Sequence, residues 1–234
     1  MCLLIFKPAG QTIPFDHLEQ GHINNSHGSG VVAATGKKLF TLKGHDYTHE
    51  DISDYIERNT DLPMIIHFRL ASHGPINYSN THPFKLPQDW AAAHNGMIDL
   101  PIMDNTKSDT REFLERYVEP VLFTEKMALM DSHLIKNLGI AVGGYNKLVF
   151  LHKTGEASIV NESSGKWIGG IWYSNDSYKY RPPVAPGFSY PSATSCGSKK
   201  PWLGLTNGQT DIDEAWYNRM EGELASPDRL FRET

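Results

Sequence analysis

The sequence predicts an α+β fold of antiparallel sheets with helices packed on their outer sides. Short apolar runs come in pairs joined by tight turns, two helical stretches occupy the middle of the chain, and no internal repeat is visible. Hydrophobic residues make up 39% of the 234 residues and charged residues 21%, enough for a proper core.

Taken in order, Cys2 to Lys7 reads as a buried strand, short, apolar and closed by a Pro-Ala-Gly turn. Asp16 to Asn24 follows as a short helix with Leu18 and Ile23 as its apolar content. Gly28-Ser29-Gly30 opens a strand over Val31–Thr35, and Gly36-Lys37 turns it into Lys38–Lys43 as a hairpin. Thr48 is an N-cap with Asp51 three residues on, and Ile52, Tyr55 and Ile56 keep helical spacing to about Asn59. Met64–Phe68 is the next strand, and it delivers His67 and Arg69 to its C-terminal end. Residues 74–89, with three prolines, read as a loop.

Ala91–His94 and Met97–Leu100 read as two strands about Asn95-Gly96, the strongest two-residue hairpin signal. Ser108 caps a helix with Phe113, Leu114, Tyr117 and Val118 on one face. A second helix over Thr124–Leu138 stops at Gly139 as its C′ glycine. Leu148–His152 and Ala157–Asn161 form a hairpin about Thr154-Gly155, and Trp167–Tyr173 adds a strand. From Asn175 to Lys200 Tyr, Pro, Ser and Gly dominate, and a final weak helix is expected over Asp211–Leu224. The expected domains are therefore 2–175 and a C-terminal extension, 176–234, packed on the first.

Composition excludes several function classes. A net charge of −5 provides no basic stripe for nucleic acid. Two cysteines, Cys2 and Cys196, are too few for a secreted disulfide scaffold. The apolar start is cut off by Lys7 and Pro8, too early for a signal-peptide core or a membrane span. A cytoplasmic protein without membrane or nucleic-acid partners is expected. His67, His73, His82 and His94 lack a recognised zinc spacing and a cysteine partner, so neither a metal nor a cofactor is expected.

Chemistry enters at Met1-Cys2. Initiator methionine is trimmed when the next residue is small, which leaves Cys2 with a free α-amine. That amine, with an ordinary pKa of about 7.7–8.0, is partly neutral at pH 7 and able to take a proton. The thiol, near about 8.5, needs little help to ionise. One residue thus supplies nucleophile and base. Downstream lie His67-Phe68-Arg69-Leu70-Ala71-Ser72-His73-Gly74, then His94-Asn95-Gly96, then Ser108-Asp109-Thr110. Alone, Arg69 is an ordinary surface charge, Asn95-Gly96 a turn, and Asp109 a helix-start acid.

In this order behind Met-Cys, the blocks resemble the class II glutamine amidotransferases, whose pattern is H-x-R-W-A-[TS]-H-G, H-N-G, S-D-T. Asn25-Ser26-His27-Gly28-Ser29-Gly30 is similar to that family's N-x-D-G-x-G. The resemblance spans residues 2–175 and implies the four-layer αββα sandwich of N-terminal-nucleophile hydrolases. It implies glutamine as substrate, cleaved to glutamate and ammonia through a Cys2 thioester. By the same resemblance Asn95 and the Gly96 N–H form the oxyanion hole, Arg69 grips the substrate carboxylate, Asp109 holds its ammonium, and Ser72 and His73 line the pocket. Three positions depart from the pattern: Leu3 replaces a glycine, Leu70 a tryptophan, and His27 an aspartate. With no synthase-sized segment after residue 175, either a separate synthase subunit takes the ammonia or the domain acts alone, and the aromatic-rich stretch from Asn175 to Trp202 either contacts that subunit or packs back over the sheet. The rival readings are an amidase or acylase for another amide, and a non-catalytic domain that keeps the fold.

Overall fold

The computed structural model describes residues 2–72 and 74–180. Strand β1 (Leu3–Lys7) sits inside a six-stranded sheet, and side-chain alternation along it decides the layering. Leu3 and Ile5 point outward. They join Val31 and Ala33 of β2 (Ser29–Ala34) and Met64, Ile66 and Phe68 of β4 (Met64–Phe68). Against that face lie Leu18 of α1 (Phe15–Asn24) and Ile52 and Ile56 of α2 (His49–Glu57). Helix α2 begins with the expected capping box between Thr48 and Asp51. Strand β3 (Leu39–Gly44) closes one edge.

Leu4 and Phe6 point the other way, with Val32, Ala34 and Ile65. They meet Ala91 and Ala93 of β6 (Trp90–Asn95) and Val149 and Leu151 of β7 (Lys147–His152), which belong to a second, four-stranded sheet. The small Ala91 and Ala93 let the sheets approach. Each fully buried Leu, Ile or Val here contributes about 1.5–3 kcal/mol. The opposite face of the second sheet, with Trp90, Ala92, Leu148 and Phe150, is covered by residues 113–142. This covering layer holds α3 (Asp109–Phe113), α4 (Glu119–Thr124) and α5 (Ser132–Val142). Helix, sheet, sheet, helix: the layers form the four-layer αββα sandwich, and every strand pairing is antiparallel.

Strand order is β3-β2-β4-β1-β10-β9 in the first sheet and β5-β6-β7-β8 in the second. Strands β5 (Phe84–Leu86), β8 (Ala157–Val160), β9 (Lys166–Ile168) and β10 (Ile171–Tyr173) complete them.

Four local expectations are corrected. Residues 74–89 are not all loop: β5 forms there, with Phe84 and Leu86 buried on alternate positions. Asn95-Gly96 does not turn a hairpin. Strand β6 pairs instead with β5 and β7, and after Gly96 the chain leaves the sheet, its Ile98 N–H taken by Asp109 Oδ2 at 2.8 Å. The helix over 124–138 is broken. Asp131 accepts from the His133 and Leu134 N–H groups as the cap of α5, which runs past Gly139 and ends at Gly143 with φ +84°. Trp167–Tyr173 is a hairpin, turned at Gly169-Gly170 where both φ are positive.

The described residues belong to one compact unit that ends at Arg181, with Tyr178 packed in the outer core. The extension beyond it, its aromatic-rich stretch from residue 181 on and the helix expected at 211–224 lie outside the described residues. No helix among the described residues is long and apolar enough to cross a membrane.

Candidate active site

The alternation that builds the inter-sheet core also builds a polar cluster at one end of it. With Leu4 and Phe6 inward, Cys2 is inward too; with Ile65 inward, so are His67 and Arg69. Ala91 and Ala93 put Asn95 on the same face, and Trp172 does so for Ser174. Antiparallel register brings the ends together, because Leu3 pairs Phe68, which sets Cys2 beside Arg69. Two hydrogen bonds then cross between the sheets: Asn95 Nδ2 donates to Ser174 Oγ at 2.7 Å, and His67 Nε2 lies 3.0 Å from His94 O.

Cys2 is half-buried. The Leu70 N–H donates to its Sγ at 3.2 Å, and the thiol donates to Leu70 O at 3.4 Å. Asn175 Nδ2 donates to its carbonyl at 2.7 Å. Burial pushes the thiol pKa up, while the Leu70 N–H, the positive chain terminus and Arg69 pull the other way. Leu70, which departs from the family pattern, thus serves the thiol through its backbone.

Arg69 is buried at 2% exposure, and its Nη1 donates to Pro75 O at 3.1 Å, tying it to the loop that follows. Burial lowers its pKa, and Cys2 and Asp109 oppose that shift, so each of them lies within electrostatic reach of Arg69. Asp109 is buried at the first turn of α3, and its Oδ2 is held by the Ile98 N–H. The loop is docked on this helix start by Asn80, whose side chain donates to Thr106 O at 2.9 Å and accepts from Ser108 N at 2.9 Å. Gly74, φ +71°, packs against Lys107 and Ser108, where a Cβ would lie 3.1 Å from the Lys107 carbonyl. Ser72 is exposed on this loop, and His73 lies outside the described residues.

Behind Asn95, His94 is clamped. Its Nδ1 lies 2.8 Å from Thr110 Oγ1 and its Nε2 2.9 Å from Asn146 Oδ1. Asn146 also backs Gly96, which has φ +150°. A Cβ at Gly96 would lie 2.2 Å from Asn146 Oδ1. His27, another of the three departures, accepts from the Ala71 N–H at 3.0 Å and so holds the loop after Arg69.

Sequence reasoning missed Asn80, Asn146, Ser174 and Asn175. Each acts through a contact distant in sequence, and no spacing announces it. A separate open groove of about 790 Å³ lies between α5 and β8–β9, lined by residues such as Phe6, Ile135, Ile140, Ile159 and Trp167. It contains no cysteine or histidine and no member of the polar cluster. Among the described residues, no group of three or more His, Cys, Asp or Glu is placed to hold a metal ion.

No protein-family model and no curated protein matches the chain. Among solved structures, it is similar to glutamine phosphoribosylpyrophosphate amidotransferase from B. subtilis complexed with ADP and GMP, with 16% identity and a TM-score of 0.46. A second similar structure is the allosteric regulatory enzyme of purine biosynthesis, with 16% identity and a TM-score of 0.45. Each alignment covers 74% of this chain and 41% of the other, so the chain spans less than half the length of either.

Proposed function

We propose that this chain is an N-terminal-nucleophile glutaminase of the class II amidotransferase type. The observation that carries this reading is the convergence of Cys2, Arg69 and Asn95 on one face and one end of the inter-sheet layer, with Asp109 within electrostatic reach of Arg69. Residues from three separated motifs meet there, as a shared site requires.

In this mechanism Met1 is removed and the Cys2 α-amine takes the thiol proton. The thiolate attacks the amide carbon of glutamine, and the C–O double bond opens to an oxyanion. Asn95 Nδ2–H and the Gly96 N–H receive that charge, each donor lowering the barrier by about 2.7–4 kcal/mol. The tetrahedral intermediate expels ammonia, protonated by the α-ammonium, and leaves a γ-glutamyl thioester. Water then attacks the thioester to release glutamate and regenerate the thiol. Arg69 provides the planar donor fork suited to the substrate carboxylate, and Asp109 the charge suited to its ammonium. Ser72, on the loop after Arg69, lines the approach. No metal or cofactor enters these steps. Ammonia passes to a separate synthase subunit, and the protein works in the cytoplasm.

The test is intact-mass analysis of purified protein followed by ammonia release from a panel of amides. Protein lacking Met1 should hydrolyse glutamine and should act poorly on analogues without the α-amine or α-carboxylate. Comparable rates on simple acyl amides would favour an amidase, and activity in protein that retains Met1 would remove the α-amine from the mechanism.

A further inference from the structure

Ser174 belongs to none of the motifs, yet it joins the two halves of the site. It follows β10 and is buried at 1% exposure. Its backbone N–H donates to Leu4 O at 2.9 Å. Its Oγ accepts from the Leu4 N–H at 2.9 Å and from Asn95 Nδ2 at 2.7 Å. A serine hydroxyl has two acceptor positions, and these two donors fill both. Ser174 therefore holds β1, the strand that follows Cys2, in the first sheet and the Asn95 amide in the second.

The planarity of the amide gives this contact a directional consequence. A carboxamide carries two N–H groups fixed about 120° apart in one plane. When Ser174 takes one of them, the direction of the other is set. Asn95 Oδ1 is buried with no hydrogen-bond partner among the described residues, so it adds no competing restraint there. An oxyanion donor works by being aimed before the charge develops, and an amide free to rotate forfeits much of that benefit.

We propose that Ser174 is a positioning residue, whose hydroxyl aims the second N–H of Asn95 at the oxyanion formed on the Cys2 adduct. This rests on the glutaminase reading above. It assigns Ser174 no contact with substrate. Its effect runs entirely through Asn95.

A double-mutant cycle on the full chain tests it, with kcat and KM for glutamine measured on wild type, Ser174→Ala, Asn95→Ala and the double variant. Melting temperatures and the rate of Cys2 alkylation by iodoacetamide serve as controls. Asn95→Ala should lower kcat by about 10²–10³-fold. Ser174→Ala should lower kcat about tenfold or more with KM unchanged and Cys2 alkylation unaltered, because the thiol does not touch Ser174. The double variant should be no slower than Asn95→Ala, since the serine has nothing left to aim. A residue that only staples the sheets predicts losses that multiply, or none in the folded protein, and either result overturns the proposal. If Ser174→Ala does not fold, Ser174→Cys keeps the size but weakens the acceptor, and the same cycle is read on it. A wild type that releases no ammonia from glutamine overturns the glutaminase reading and the Ser174 role together. An active wild type with multiplicative losses overturns the Ser174 role alone.

Discussion

In the middle of the inter-sheet layer Leu4, Ile65, Ala93 and Val149 pack with no polar side chain among them. At the end of the same layer, on the same face, stand Cys2, His67, Arg69, Asn95 and Ser174. The strands, their spacing and their alternation are common to both regions, so backbone geometry does not distinguish a core from a site. Residue type at the strand end does. In the middle, energy follows shape and buried area, and a neighbour of similar volume is tolerated. At the end, each polar group needs a specific partner, and a lost partner costs about 1–3 kcal/mol. Substitution in the middle should therefore cost stability and leave chemistry intact, and substitution at the end should cost chemistry first.

The largest expected effect tests that contrast within one strand. Cys2→Ala should reduce glutamine hydrolysis to background, while the melting temperature stays close to wild type. The thiol is half-buried, and among the described residues its sulfur's hydrogen bonds go only to the Leu70 backbone. Ammonia release and thermal melts on the same preparation check both halves, and residual turnover by the alanine variant would move the nucleophile elsewhere.

Gly96→Ala should come next, with kcat falling about 10²–10³-fold, the loss typical of one oxyanion donor. A Cβ there meets Asn146 Oδ1 at 2.2 Å, and the backbone at φ +150° does not suit an L side chain. Either the turn or the Asn146 clamp on His94 has to move. Steady-state kinetics would show the drop in kcat, and an unchanged kcat would mean that the Gly96 N–H does not face the reacting atoms.

Leu4→Ala, two residues from the nucleophile on the same face, sharpens the contrast from the other side. Leu4 is fully buried, so the change should cost about 2–5 kcal/mol of stability. The folded fraction should keep its kcat. Denaturant unfolding combined with active-site titration separates the two quantities. A loss of kcat per folded molecule would show that the dry middle and the polar end are mechanically coupled through β1.

The motifs made much of this contrast legible in advance. Met64–Phe68 has the same bounds in sequence and structure because an apolar run ended by Arg69 admits little else. Thr48 and Asp51 announced their capping box by local spacing. Asn95-Gly96 misled for a physical reason: Gly96 does need positive φ, but for close approach to Asn146 rather than for a hairpin. The break before α5 was hidden because Asp131 is one cap candidate among several in an apolar stretch. Ser174 and Asn146 were illegible altogether. Their partners lie 79 and 52 residues away, and a lone Ser or Asn near a strand or turn has no signature until the sheets close.

The smallest predicted effect concerns what the polar end costs the fold in acid. His67 is fully buried, its ring 4.2 Å from that of His82, and burial drives its pKa down to about 3. His82 and His94, also buried, are lowered for the same leading reason, and Arg69 discourages further positive charge at His67 and His82. An unfolded histidine titrates near about 6.5. Between that value and 3 the unfolded chain binds a proton at His67 that the folded protein refuses. Stability is therefore fully held above about pH 6.5 and lost as pH falls toward 3. For His67 alone the loss between pH 7 and pH 5 amounts to about 2 kcal/mol. His67→Gln keeps a donor for His94 O but cannot titrate. Chemical denaturation of wild type and His67→Gln at the two pH values measures the difference, and the variant should lose about 2 kcal/mol less on acidification. An identical pH dependence would mean that His67 titrates alike folded and unfolded. The polar end would then be open to water, and the contrast with the dry middle would fail at its centre.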